Sequence, residues 1–158
     1  MFREMIRKKQ QLSNEECIRL LTEEPRGVLS VMGDNGYPYG MPMDHWYCPE
    51  DGKVYFHSGM KGHKVDAIRC CDKVSYCVYD SGYKNPGEWA LNIKSVIVFG
   101  RVEIVEDAAK AEDIVRRLSL KYTGDREYIE KEIRMALGRT LVFALVPEHM
   151  TGKLVNEA

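Results

Sequence analysis

The sequence lacks any apolar run long enough to cross a bilayer. Its longest apolar stretches, Leu141–Val146 and Val96–Phe99, are far shorter than the ~20 residues that a transmembrane helix requires. The basic segment Met1–Gln11 is not followed by an apolar run either, so it does not have the pattern of a secretory signal. These absences predict a protein with neither a membrane attachment nor a secretory route.

The sequence also lacks an excess of charge of either sign. Its 23 Lys and Arg residues and 24 Asp and Glu residues leave a formal net charge of −1. A general nucleic-acid-binding protein needs a basic excess to displace the counterions of the phosphate backbone. The charge balance therefore argues against a nucleic-acid partner, and equally against an anionic membrane surface.

Cysteines are present, but they lack the spacing of a disulfide framework or a zinc ribbon. There are five, an odd number, and none belongs to a CxxC pair. Free thiols are typical of a reducing compartment, so we predict a cytoplasmic protein. His45, Cys48 and His57 are too weak a pattern to indicate a metal, because no second close pair supports them.

What the sequence does contain is a series of strand-like runs with a few helical patterns. Helical spacing begins after Ser13, which has the spacing of a capping box with Glu16. It recurs in three later segments: Gly62–Cys71, Ala111–Tyr122 and Arg126–Leu137. Six runs have the pattern of strands: Gly27–Met32, Tyr37–Tyr47, Val54–Ser58, Val74–Tyr79, Ser95–Val105 and Arg139–Val146. We therefore predict one domain, residues 1–158, that is mainly β with helical additions and forms a six-stranded antiparallel barrel.

Two connections in this pattern are informative. Asn35-Gly36 is the strongest short signal for a hairpin between the first two strands. The segment Asp80–Asn92 reads as a long loop, and such loops often bind ligands. Tyr83 and Trp89 could cover a ligand there, although the simpler interpretation, which we prefer, is that Trp89 anchors the loop on the barrel.

The segment Val54–Lys64 carries the clearest chemistry: a strand, a glycine-containing turn and a helix start. Glycine lets the backbone approach a ligand, and a helix N-terminus offers unpaired N–H groups. Lys61 and Lys64 add positive charge, while Ser58, His57 and His63 add donors. Together they could hold a phosphate. An ordinary surface turn with solvated lysines explains these residues about equally well.

Across most of its length the sequence resembles the pyridoxamine-phosphate-oxidase-like FMN-binding split barrels, and within them the nitroimidazole-resistance branch. The resemblance rests on an ordered series of segments from about Leu12 to Lys153. They are Gly27–Pro38, Tyr39–Met43, Val54–Ser58 with Gly62–Ile68, Ser95–Val105, and Met150–Lys153. It implies a split β-barrel that holds FMN.

The resemblance also implies a role for each matching residue. His57 and Ser58 would contact the flavin at a strand end, and His57 is the candidate catalytic residue. The FMN phosphate would be held by a turn whose residues are Lys61, Gly62, His63 and Lys64. The strand passing the isoalloxazine ring would carry Pro42, Met43 and Asp44, and Ser95 would meet the polar edge of the flavin. His63 departs from the more basic residue found in many relatives.

The implied function is that of a flavin-dependent reductase. Electrons would pass from NADH, NADPH or another reductant to a small planar acceptor such as a nitroaromatic compound. The chain ends soon after Lys153, without the C-terminal substrate segment of the pyridoxal-forming enzymes, so that oxidase activity is not expected. The alternative is a non-catalytic protein that stores or senses a flavin, or binds haem or a deazaflavin on the same fold.

A homodimer with FMN at its interface is the expected assembly. A small barrel has few walls with which to enclose a tricyclic ring, and a second subunit supplies the missing one. We expect Met41, Met43 and Trp46 to be exposed on the Tyr37–Tyr47 strand and to pack against the partner.

Overall fold

The computed structural model describes residues 1–156, and all of its strands belong to one antiparallel sheet. The strands are β1 (Arg26–Met32), β2 (Pro38–Asp44), β3 (Trp46–Tyr47), β4 (Val54–Gly59), β5 (Lys73–Tyr79), β6 (Asn92–Ile104) and β7 (Thr140–Asn156). The helices are α1 (Asn14–Glu23), α2 (His63–Cys70), α3 (Ala108–Tyr122) and α4 (Arg126–Ala136). The strand order is β2-β1-β5-β6-β7-β4-β3, and the sheet curls until β2 contacts β4 from its other half. The antiparallel split-barrel prediction is confirmed, with seven strands instead of six.

The extra strand arises because the predicted strand Tyr37–Tyr47 is interrupted at His45. The His45 N–H donates to the Tyr122 hydroxyl at 2.9 Å instead of to a neighbouring strand. The chain therefore leaves the edge of β1 after Asp44 and reaches β4 as the two-residue strand β3. A side chain 77 residues away thus ends β2, which no local pattern could show.

The last strand is much longer than the predicted Arg139–Val146. The segment Met150–Lys153, expected to be a tail, continues β7 and pairs with the first half of β6. A register shift at Phe99/Gly100 bends this long ladder, and a side chain on Gly100 would collide with the Val146 carbonyl oxygen. Glycine at the bend is therefore required by close backbone approach.

The inner faces of the curled sheet enclose the main core. Phe56 packs against Tyr76 and Phe143 with ring centroids 4.9 and 5.2 Å apart, and none of the three rings is exposed. Truncating a buried Phe to Ala costs ~3–5 kcal/mol, so this aromatic cluster is a major contributor to stability. Helices α1 and α2 pack against this core and contribute residues such as Leu21 and Val65 to it.

A second, smaller core lies on the outer wall of the barrel. Helix α3 covers Tyr55 of β4 and Val142 of β7 with Ile114, so this part of the wall faces protein instead of solvent. The helix begins at the Asp107 cap, whose carboxylate accepts from the Lys110 N–H at 2.7 Å. Because α3 lies against β4 and α4 packs on α3, both helices are close to the strand that carries His57.

The predicted local signals are confirmed at two sites and overturned at one. Ser13 and Glu16 form both hydrogen bonds of the capping box, at 3.2 and 3.1 Å. Asn35 and Gly36 adopt φ values of 57° and 77° in the β1–β2 hairpin. Trp89, however, does not anchor its loop: 72% of the residue is exposed, and the loop is held instead by Asp80, which accepts from the Gly82 and Lys94 N–H groups.

Candidate functional site

The turn between β4 and α2 is an open backbone cradle. Gly62 has φ of 124°, a conformation that favours glycine, and a Cβ added there would meet no atom within 4 Å. It is the N-cap of α2, yet no side chain caps the helix, so the first N–H groups have no intrahelical partner. Lys61 precedes it as an exposed cation. The turn thus has free donors and the positive end of a helix dipole, the features that bind a phosphate.

Lys64 places an ammonium group beside this turn, and no carboxylate within residues 1–156 pairs with it. Its Nζ lies 3.2 Å from the thioether sulfur of Met43, which is a weak acceptor. The group is half-buried, and burial lowers its pKa. A partly desolvated ammonium without a carboxylate is unfavourable unless an anion joins it, so the donor set fits a bound phosphate.

The His63 side chain packs against the β1–β2 hairpin and not beside Lys64. Its ring stacks on Tyr39 with centroids 4.2 Å apart. Its Nε2 accepts from the Asp34 N–H at 3.4 Å and lies 3.7 Å from the Asp34 carboxylate. The structure therefore brings Lys61, Gly62 and Lys64 together in the cradle and leaves the His63 side chain beside it.

His57 and Asp44 share the outer side of the barrel where β2 meets β4. Asp44 accepts from the Arg26 guanidinium at 2.6 Å, which fixes its carboxylate. Although part of its ring is exposed, partial burial lowers the pKa of His57; Lys64 adds to this effect, and Asp44 opposes it. His57 is therefore neutral at neutral pH. The neighbouring Ser58 hydroxyl donates to the Gly59 carbonyl at 2.8 Å.

Helices α3 and α4 complete a recess around His57 that the sequence analysis did not identify. Its volume is about 200 Å³, and the lining residues are Asp44, His57, Leu118, Ser119, Tyr122, Thr123, Tyr128, Ile129 and Glu132. The helical spacing of Ala111–Tyr122 indicated packing only. Which barrel strand it would pack on depends on tertiary contacts, so the spacing alone could not reveal the recess.

A buried polar network lies behind β2 and holds the chain where the site begins. His45 is fully buried, with Nε2 2.7 Å from the Leu21 carbonyl oxygen and Nδ1 2.8 Å from the Tyr76 hydroxyl. The contact to a carbonyl oxygen assigns the ring proton to Nε2. The Tyr76 hydroxyl also lies 2.8 Å from the Met43 carbonyl oxygen. The network therefore fixes the backbone of Met43 and Asp44.

Lys121 and Tyr122 attach the end of α3 to the same network. Lys121 donates to the Leu21 and Glu24 carbonyl oxygens at 3.2 and 2.7 Å, and its Nζ lies 3.3 Å from His45 Nε2. Burial lowers the pKa of Lys121 to about 8; burial and the nearby Lys121 charge lower the pKa of His45 to about 4. The Tyr122 hydroxyl contacts the Pro25 and His45 carbonyl oxygens.

The comparison with known families agrees with this geometry. The sequence profile described as pyridoxamine 5'-phosphate oxidase matches residues 13–154, from the α1 cap to two residues before the end of β7. The chain belongs to the pyridoxamine 5'-phosphate oxidase family. No curated protein sequence matches it.

Several solved structures share the fold of this family member. A protein of Bacteroides thetaiotaomicron, described as a 5-nitroimidazole antibiotic resistance protein, has a TM-score of 0.79 at 19% identity, over 92% of this chain and 87% of its own. The flavocytochrome Anf3 of Azotobacter vinelandii has a TM-score of 0.79 at 20% identity, over 96% and 72%. The FAD binding protein of Mycobacterium smegmatis has a TM-score of 0.68 at 20% identity, over 94% and 99%.

Two predicted site residues of this pyridoxamine 5'-phosphate oxidase family member face outward on the sheet. Pro42 is exposed on β2, and Ser95 lies on β6 opposite Tyr79 and Lys153. Ser95 is on the same outer face as Asp44, but three strands away, which is ~14 Å at the usual strand spacing. It therefore does not join the residues around His57 within one chain.

Residues 1–156 contain neither a metal-binding cluster nor a membrane-spanning helix. No three His, Cys, Asp or Glu side chains in this part of the chain come together as a group that could hold a metal. None of its helices combines the length and apolar character needed to span a membrane.

Proposed function

We propose that this chain binds FMN and acts as a cytoplasmic flavin-dependent reductase whose acceptors are small planar molecules such as 5-nitroimidazoles. The flavin part of the proposal rests on Lys64, a half-buried ammonium beside a donor-rich glycine turn. Among the residues that the structure describes, its one partner is the thioether of Met43. Such a site is stabilised by an anion with several acceptor oxygens, and the terminal phosphate of FMN has this chemistry.

The names of the structural neighbours support the same proposal. One is an FAD binding protein, another is a flavocytochrome, and a third is described as a 5-nitroimidazole resistance protein. Their identities of 19–20% relate this chain to them in fold only, so the acceptor class remains our proposal.

Different residues of the chain would bind the FMN phosphate and orient the flavin ring. Lys64 and the first N–H groups of α2 would hold the phosphate, and the fixed backbone of Met43 and Asp44 would position the ring. The chemistry that bound FMN supplies is the transfer of electrons from NADH, NADPH or another reductant to the acceptor. His57, as a neutral imidazole beside Asp44, can donate or accept one hydrogen bond at the reacting face.

We also propose a homodimer with the flavin at its interface, but through a different surface from the one expected. Met41 and Met43 are buried, with exposed fractions of 8% and 7%, because their side chains face the barrel interior. Trp46 is half-buried and stacks on Tyr55. The expected exposure of Met41 and Met43 was therefore wrong, and Trp46 is exposed only in part.

An apolar row on the outer sheet face is the better candidate for the dimer interface. Pro42, Val28, Cys77 and Ile97 are cross-strand neighbours on β2, β1, β5 and β6. Ile97 is 39% exposed. A second copy placed on this face would cover the row, and Ser95 beside it could then contact the flavin of the partner.

The visible spectrum of purified protein tests the proposal most directly. We expect a flavin spectrum, release of a mononucleotide on denaturation, bleaching by NADH or NADPH, and recovery with a 5-nitroimidazole. A Soret band would indicate haem instead. A flavin that no donor reduces would indicate storage or sensing, and the reductase proposal would be wrong.

The variant His57→Ala tests the catalytic part. If His57 acts on the reacting groups, turnover per bound flavin falls more than FMN affinity does. If turnover per flavin is unchanged, His57 has no catalytic role. Substituting His149, which stacks on Phe2 away from this site, provides the control.

A further inference from the structure

The recess beside His57 is built mainly by α3 and α4. It opens between the outer side of β4 and these two helices, and seven of its nine lining residues belong to α3, α4 or the turn between them. Leu118 and Ile129, which are 2% and 3% exposed, form its apolar floor. Its volume of about 200 Å³ is below the ~300–1,000 Å³ typical of sites for drug-sized ligands, so it admits one ring and not a tricyclic flavin.

The walls of the recess are held rigidly. Arg116 of α3 bonds Glu130 of α4 at 2.5 and 3.1 Å and Glu112 at 2.7 Å, which clamps the two helices together. The Tyr122 hydroxyl is fixed on the main chain of His45, and Asp44 is fixed by Arg26. A recess whose walls are already ordered loses little conformational entropy when a ligand enters.

The rim of the recess, in contrast, has polar side chains that form no hydrogen bond or ion pair with the described part of the protein. Within residues 1–156, no hydrogen bond or ion pair engages the His57 ring, the Ser119 hydroxyl, the Tyr128 hydroxyl or the Glu132 carboxylate. An apolar floor with a few free polar groups at the rim is the usual composition of a small-molecule site.

The charges around the recess favour one class of ring. Asp44 is neutralised by Arg26, and His57 is neutral at neutral pH. Lys64 does not line the recess and lies instead in the first turn of α2. Glu132 therefore leaves the recess with one uncompensated negative charge, which attracts N–H groups and repels carboxylates.

We propose that this recess binds a single aromatic ring that carries an N–H, amino or amidine group, neutral or cationic, and that Glu132 selects it against anionic rings. In the setting of the proposed reductase, on which this inference rests for its role, the ring is the electron acceptor beside the flavin. Nitrogen heterocycles fit this description, whereas nitrobenzoates do not.

Three rings of nearly equal shape and different charge test the selection without any redox chemistry: benzamidine, benzamide and benzoate. Calorimetric titration of FMN-saturated protein should show benzamidine binding about fivefold more tightly than benzamide, and benzoate more weakly than either. In Glu132→Gln the advantage of benzamidine over benzamide should disappear. In the matched control Glu127→Gln, an exposed carboxylate on the same helix outside the recess, it should persist.

A filling variant separates the recess from the flavin site. Ser119→Phe should abolish benzamidine binding while FMN affinity stays the same; the more conservative Ser119→Leu repeats the measurement if the larger variant does not fold. Benzoate binding as tight as benzamidine, an unchanged preference in Glu132→Gln, or release of FMN by filling would each overturn the inference. Failure of the reductase proposal would show separately: the three rings would still be selected by charge, but NADH or NADPH would not bleach the bound flavin, or a 5-nitroimidazole would not restore its colour.

Discussion

The FMN affinity of a Lys64 variant tests the hypothesis that the turn before α2 binds the phosphate. Lys64→Ala should weaken FMN binding by ~1.5–3 kcal/mol, roughly 10- to 150-fold in the dissociation constant, because it removes a charge-assisted hydrogen bond. The free energy of unfolding without flavin should not fall, since the variant also removes a partly buried ammonium whose partner is a thioether.

Flavin fluorescence quenching on titration of the apoprotein gives the affinity. The matched control is Lys131→Ala, an exposed lysine on α4 that contacts neither the turn nor the recess. If Lys64→Ala binds FMN as tightly as the control, Lys64 is not a phosphate ligand.

At the scale of an element, the end of β2 is held by the buried Tyr76 hydroxyl as well as by Tyr122. Tyr76→Phe keeps the ring in the core but removes the one proton that this hydroxyl can donate to His45 Nδ1 or to the Met43 carbonyl oxygen, so a buried acceptor loses its donor. We expect a loss of ~1–3 kcal/mol in the free energy of unfolding, measured in urea, because buried polar groups lose their hydrogen bonds. Tyr79→Phe, on the same strand but 57% exposed, should change stability by less than ~0.5 kcal/mol. An equal loss in the free energy of unfolding in both variants would contradict this role of the Tyr76 hydroxyl.

The elements also show how far the sequence could predict the structure. Runs such as Val74–Tyr79 were found almost at their observed bounds, because their alternation reflects a wall with one inner and one outer face. The strand, turn and helix start around Gly62 were also predicted, since the signals for them are adjacent in the sequence. The division at His45 and the recess over His57 were not, because both depend on α3, which is distant in the chain and meets β4 only after folding.

For the whole molecule, burial of His45 makes stability depend on pH. The folded protein protonates His45 only near pH 4, whereas an unfolded histidine does so near pH 6.5. Between these values the unfolded state binds more protons, so the free energy of unfolding rises with pH, by up to ~3 kcal/mol from this residue. Chemical denaturation across pH 4–6.5 should show a smaller slope in His45→Gln than in the unsubstituted protein. An identical slope would mean that His45 is protonated at its ordinary pKa in the fold.

The assembly proposal makes a separate prediction at this scale. Ile97→Asp places a charge in the outer apolar row and should convert a flavin-loaded dimer into a monomer that loses flavin, as seen by light scattering with absorbance detection. Leu120→Asp on α3 is the control, because Leu120 is 37% exposed, close to the 39% of Ile97, but lies on another face. A monomer that retains flavin before any substitution would refute the interface.

The position of β7 has a consequence for how the protein is made. It is the last of the seven strands within residues 1–156, yet it lies between β6 and β4, so β3 and β4 cannot join the rest of the sheet without it. Residues 60–139 separate β4 from β7. At a synthesis rate of ~5–20 residues per second, on the order of 4–16 seconds pass between the synthesis of β4, which contains Tyr55 and Phe56, and the start of β7. During this interval the nascent chain exposes Tyr55 and Phe56, because β7 has not yet left the ribosome. A chaperone would be needed in that period.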